Sequence, residues 1–160
     1  RINIIEFMLS IILIILVTFV CMEGVAWFMH KFVMHGLFWN LHEDHHNKKL
    51  RPHPPFERND SFFLFFAILS MSSFGLWSLY GFTLFLGIGI GIFIYGIAYF
   101  VVHDLFIHQR IKIWTRTKNP YLRALRHGHK MHHKRLNKED GESFGMLWVP
   151  MKYFKQEFQS

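Results

Sequence analysis

The sequence predicts an all-α integral membrane bundle, three transmembrane helices with a histidine-rich cap on the cytoplasmic side. Charge is excluded from two long runs: Ser61 to Val102 holds no Asp, Glu, Lys or Arg, and Phe7 to Met29 holds only Glu23. A membrane-spanning helix needs about 20 apolar residues. The first run therefore makes one span, at about 3–29, and the second makes two, at about 62–80 and 82–102, broken at Tyr80-Gly81. The second observation is that ten of the 12 histidines fall into four clusters, each pair of clusters beginning where an apolar run ends.

Basic residues orient the spans. Lys and Arg are enriched on the cytoplasmic side of membrane proteins. Five lie between Met29 and Ser61, twelve after Val102, and only Arg1 precedes the first span, so an outside N-terminus puts 17 of 18 on one face with every histidine. The net charge of +7 is then mostly a topological signal that also suits an acidic soluble partner. The basic residues flank spans and histidine clusters, which argues against nucleic-acid binding. Cys21 is alone, so no intrachain disulfide forms. The first apolar run is longer than a signal-peptide core and no small-residue cleavage site follows it, so it reads as a retained anchor.

The elements follow in order within a single domain, 1–160. Span one continues as helix into the first cluster. Residues 30–60 form a cytoplasmic segment whose Arg51-Pro-His-Pro-Pro stretch cannot be helical. Asn59-Asp60-Ser61 is a cap for span two. Span three carries Gly87 and Gly91, a small-xxx-small pair that permits close helix approach in lipid. Residues 103–160 form the second cytoplasmic segment. Its stretch 109–140 is basic with interspersed Ile111, Ile113, Trp114, Tyr121 and Leu125, a pattern of helix lying along the interface. The aromatic tail Phe144 to Phe158, interrupted by Pro150, is too short for a fourth span and is placed against the membrane face or as a lid below the histidines.

The clusters repeat as HxxxxH followed by HxxHH: His30 and His35 then His42, His45 and His46; His103 and His108 then His129, His132 and His133. Imidazole is a good ligand for iron, zinc, copper and nickel. In a helical HxxHH the three rings share about 100° of surface, while adjacent rings diverge and address different ions. In HxxxxH the rings stand about 140° apart on a regular α-helix. They reach two ions from such a helix, or one if the helix distorts. Ten imidazoles are too many for one metal ion and about right for two. A lone buried histidine at a span end is ordinarily a packing residue; four spaced clusters are not. His53 stands in the Pro-rich loop and His127 faces away from the HxxHH set, so both are left out.

Metal-bound histidines commonly donate their second N–H to an acid, and Glu43, Asp44, Asp60 and Asp104 are placed for that. Glu23 lies two turns before His30 on the same face, about 10 Å along the axis. That is too far for a hydrogen bond and suits the wall of a cavity leading to the metals. No catalytic side chain beyond the metal ligands is expected.

The words Met22-Glu23, Ala26-Trp27, His30-Lys-Phe-Val-Met-His35-Gly36, His42-Glu-Asp-His45-His46, Phe56-Glu57-x-Asn59-Asp60, His103-Asp-x-x-x-His108-Gln109-Arg110, Gly128-His129-x-x-His132-His133 and Ser143-Phe144-Gly145 together resemble the fatty acid hydroxylase/sterol desaturase superfamily of membrane di-iron enzymes. Within it they resemble the branch of the bacterial beta-carotene hydroxylases, because HxxxxH is used twice. The resemblance runs from Met22 to Gly145. It implies that the ten clustered histidines bind two non-haem irons, replaceable by zinc on purification. It implies a monooxygenase of the bacterial inner membrane, hydroxylating the beta-ionone rings of beta-carotene at C3, through beta-cryptoxanthin to zeaxanthin. O2 is the co-substrate, ferredoxin and an NAD(P)H-dependent reductase supply electrons, and the carotenoid enters from membrane lipid, past Trp27, Met34, Phe38 and Trp39. Members of the superfamily often have four spans; three are counted here. The competing readings are a fatty acyl or sterol hydroxylase or desaturase, a carotene ketolase, and, in a different class, a membrane metal transporter. Ligands at span ends rather than at the bilayer midplane argue against transport.

Overall fold

The computed structural model describes residues 3–46, 56–112, 114–135, 138, 139 and 141–159, and among these all regular structure is helical. The order is α1 (Ile4–Phe28), a π-helix π1 (Met29–Leu37), α2 (Trp39–His46), a 3₁₀ turn (Arg58–Asp60), α3 (Ser61–Tyr80), α4 (Thr83–Tyr99), a second π-helix π2 (Phe100–Ile107), α5 (Pro120–His132) and α6 (Met151–Phe158). Three continuous helical stretches are long and apolar enough to cross a membrane: Ile4–Leu37, Arg58–Tyr80 and Thr83–Ile107. The first and third continue as helix into the HxxxxH motifs, as expected.

The chain divides into two compact units, residues 1–22 with 62–98 and residues 23–61 with 99–160. In the first, glycines set how closely helices pack. A Cβ at Gly87 would come within 2.5 Å of Ile14 Cγ2, and one at Gly91 within 2.6 Å of Thr18 Cβ, so this pair faces α1. Gly89 faces the other way, where a Cβ would stand 2.8 Å from the Phe74 ring of α3. The small-xxx-small pair is thus a packing device. Ser70 Oγ–H donates to the Gly89 carbonyl at 2.8 Å, a polar tie between apolar helices. Outward residues such as Leu13, Leu16 and Val20 are more than half exposed, as lipid-facing side chains are. Gly81, between α3 and α4, has φ of +71°, a conformation that glycine adopts without strain.

In the second unit, α5 and α6 pack around Ala124, Leu125, Val149 and Tyr153. Asn119 caps α5 by accepting the Leu122 N–H, and Pro120 opens its first turn. The expected interfacial helix across 109–140 is therefore shorter, only Pro120–His132. Before it the backbone is irregular, with Gln109 at φ 54°, and the Arg126 guanidinium donates to the carbonyls of Phe106, Trp114 and Thr115. Those bonds replace helical ones for this segment. The tail is helical only over Met151–Phe158, which docks on α5.

Candidate metal centre

Both HxxxxH motifs sit on π-helix, and this resolves their spacing. A π-helix closes i→i+5 hydrogen bonds, so residues five apart stack as residues four apart do on an α-helix. The bonds are explicit at the two ends: Phe38 N–H donates to Val33 O at 2.8 Å and His108 N–H to His103 O at 2.8 Å. The His30 and His35 rings consequently come to 5.2 Å, and the His103 and His108 rings to 4.4 Å, between centroids.

The rings divide into two groups. His30, His35, His42, His46 and His132 present nitrogens all within 4.8 Å of one another, and so do His45, His108, His129 and His133. His103 adjoins the second group, its Nε2 lying 3.2 Å from His45 Nε2. Each group thus takes an HxxxxH pair from one π-helix and the i, i+4 pair of one HxxHH. Its fifth ring is the middle histidine of the other HxxHH. His45 and His132 make those crossings, so neighbouring rings address different groups, as their divergence on a helix requires. All ten clustered histidines are brought together.

Outer partners orient the rings. His30 Nδ1–H donates to the Phe144 carbonyl at 3.0 Å, His35 to Lys138 O at 3.2 Å, His46 to Arg135 O at 3.2 Å and His132 to Glu142 O at 2.9 Å. His42 donates to Asn59 Oδ1 at 2.6 Å and His45 to the Glu57 carboxylate at 2.7 Å. These partners accept, so each Nδ1 carries the proton. Burial, reinforced by the neighbouring imidazoles, holds His42, His45, His129, His132 and His133 well below the usual histidine pKa and takes His46 to about 3. The rings are neutral at pH 7, and Nε2 is left with its lone pair. Yet His42 and His46 point Nε2 at Nε2 across 3.2 Å. The same contact recurs between His30 and His42 and between His35 and His132, at 3.1 Å. Lone pairs converging at that distance repel unless a cation takes them up. In the second group the Nε2 atoms of His108 and His133 each lie 2.9 Å from that of His129.

The acidic residues fall differently from expectation. Asp60 and Asp104 reach the site through Arg110, whose guanidinium lies 2.8 Å from Asp60, 3.0 Å from Asp104 and 3.1 Å from Glu57. Asp104 Oδ1 is also 3.5 Å from His103 Nδ1. Asp44 accepts the Arg58 backbone N–H, and Glu43 is exposed. Asn59, expected to cap span two, turns to His42; the cap is instead a reciprocal box between Glu57 and Asp60. Glu23 does not stand as an open cavity wall. Its Oε1 accepts the backbone N–H groups of Met146, Leu147 and Trp148 at 2.8, 2.9 and 3.0 Å. A charge in a span costs about 2.5–3.5 kcal/mol, and hydrogen bonds to a charged group contribute about 1.5–3 kcal/mol each, so three offset it. His127 pairs with Glu157 at 3.0 Å, away from both groups, and His53 lies outside the described residues.

Glu57, Asn59 and Arg110 were not expected as partners of the histidines, although Glu57-x-Asn59-Asp60 and His108-Gln109-Arg110 stood among the words of the resemblance. The carbonyls of Arg135, Lys138, Glu142 and Phe144 left no signal, since any residue supplies one.

The fatty acid hydroxylase family model matches residues 15–153. The chain belongs to that family. It is 38% identical over 143 residues to a beta-carotene hydroxylase of Pantoea ananas, spanning 86% of this chain and 77% of that protein. It is 35% identical over 142 residues to one of Pseudescherichia vulneris, 86% of this chain and 76% of that protein. A chloroplastic beta-carotene 3-hydroxylase 1 of Arabidopsis thaliana is 37% identical over 137 residues, 81% of this chain and 41% of that longer protein. No solved structure matches it. The family, the all-helical membrane architecture and the hydroxylase activity expected from the resemblance all stand.

Proposed function

We propose that this membrane hydroxylase is a carotenoid 3-hydroxylase, inserting one oxygen atom at C3 of each beta-ionone ring of beta-carotene, through beta-cryptoxanthin to zeaxanthin. The reading is carried by the two five-ring imidazole groups, together with relatives that are beta-carotene hydroxylases. The ten histidines would hold two irons. The short separations between their ring nitrogens, 2.9–3.2 Å, are those of donors converging on shared cations. When bound, that pair supplies O2 activation, without which an unactivated ring C–H does not react with protein side chains. The balance is R–H, O2, two electrons and two protons giving R–OH and water.

The chain's own residues orient and shield. Trp39 lies against His35 and His46, and the Phe144 ring against His30, His35 and His132, so both exclude water from the first group. The carotenoid arrives from the lipid between spans. The histidine side faces the cytoplasm of a bacterial inner membrane, a placement supported by its Lys and Arg content. Ferredoxin and its NAD(P)H-dependent reductase provide the electrons, and Lys130, Lys134 and Arg135, exposed beside His129 to His133, offer an acidic donor a positive surface.

Expression in cells that accumulate beta-carotene tests the reading: pigment chromatography should show beta-cryptoxanthin and zeaxanthin. Unchanged beta-carotene beside folded, iron-loaded protein would overturn it and leave a fatty acyl or sterol substrate. Glu57→Ala removes the acceptor of His45 Nδ1–H and is expected to weaken iron binding about 10–100-fold. Equilibrium competition with a chelator measures it.

A further inference from the structure

We infer that Glu23 is a positioning residue for the first histidine group, acting through the loop 142–148. The inference rests on the di-iron reading above. One oxygen of Glu23 gathers the N–H groups of Met146, Leu147 and Trp148. Immediately before those residues the same loop supplies two of the acceptors that orient the group: Phe144 O takes the His30 Nδ1–H and Glu142 O takes the His132 Nδ1–H. Between these contacts the loop is tightly constrained. Ser143 has φ of +61°, a region unfavourable for a residue other than glycine. A Cβ at Gly145 would collide with the Trp148 carbonyl and stand 2.9 Å from Glu23 Oε1. A Cβ at Gly128 on α5 would come within 2.7 Å of Ser143 Oγ. A loop so confined transmits displacement at one end to the other. Releasing residues 146–148 moves the Phe144 carbonyl and ring, and with them His30, His35 and His132. In the second group His45 is held instead by Glu57, which lies outside this loop.

The carboxylate therefore does not touch the reacting atoms. It converts an irregular loop into a fixed wall, and it does so from seven residues before His30 on the same continuous helix. Loss of Glu23 should loosen one metal ion and spare the other.

The test is the release of iron from the purified full-length protein to a chelator, followed in time with Mössbauer spectra of the retained metal. Glu23→Ala should accelerate release of one of two ions at least tenfold, with the other unchanged and helicity by circular dichroism retained. Glu23→Gln keeps an acceptor oxygen in place and should accelerate the same ion less than Ala does. Glu57→Ala should accelerate the other ion, which identifies the groups. Should Glu23→Ala fail to fold, the Gln variant is read alone, with selective acceleration still expected. No acceleration, or equal acceleration of both ions, overturns the inference. A wild-type protein that never holds two ions overturns the di-iron reading instead.

Discussion

His132→Ala is expected to abolish hydroxylation and to lower bound iron in the same preparation. The His132 ring is fully buried, its Nε2 stands 3.1 Å from His35 Nε2, and its Nδ1–H is held by Glu142 O. It is the ring that crosses from the second HxxHH into the first group. Removing it deletes a donor from one group and cuts a link between the two halves of the histidine set. His45→Ala should do the same in the opposite direction. The control is His127→Ala, half-exposed and paired with Glu157, which should retain turnover and shift stability by no more than about 0.5 kcal/mol. Activity surviving in the His132→Ala protein, by pigment chromatography with iron counted per chain, would contradict the arrangement of donors proposed above.

The metal-free protein should unfold steeply on mild acidification. His42, His45, His46, His129, His132 and His133 all have folded pKa values depressed by burial and by one another, His46 to about 3. A depressed value means that the unfolded chain takes protons first. The stability these groups contribute is complete above the unfolded pKa, about 6.5, and is lost as pH falls toward the folded values. All six act in the same direction, so stability falls steeply across that window, against a margin that for a domain is ordinarily only about 5–15 kcal/mol. A titration followed by tryptophan fluorescence should show the transition between about pH 6 and pH 4. Bound iron should move it lower, because a metal competes with protons for the same lone pairs. A metal-free protein that stays folded at pH 4 would show that the rings are not buried together.

Much of this was legible in the sequence, and the limits have physical causes. Hydropathy placed the three spans because the bilayer imposes a minimum length on any helix that crosses it. The HxxHH spacing declared its groups because i, i+4 adjacency is a local property of the α-helix. The HxxxxH spacing did not, since its meaning depends on helix winding: 140° of divergence became stacking once Met29–Leu37 and Phe100–Ile107 wound as π-helix. The partners of Nδ1 were harder still. Four are backbone carbonyls from the 135–144 segment, and the signal of a carbonyl is identical at every position. Glu23 shows the same limit: its cost within a span was readable, but the three amides that offset it come from residues more than 120 positions away.

The sequence by itself therefore determined the membrane architecture, the family and the identity of the ten clustered histidines. Tertiary structure alone decided how those rings divide, which atoms orient them and what Glu23 holds. Span length and helical adjacency are encoded in runs and short spacings. The pairing of a ring nitrogen with a distant carbonyl exists only after the chain has closed on itself.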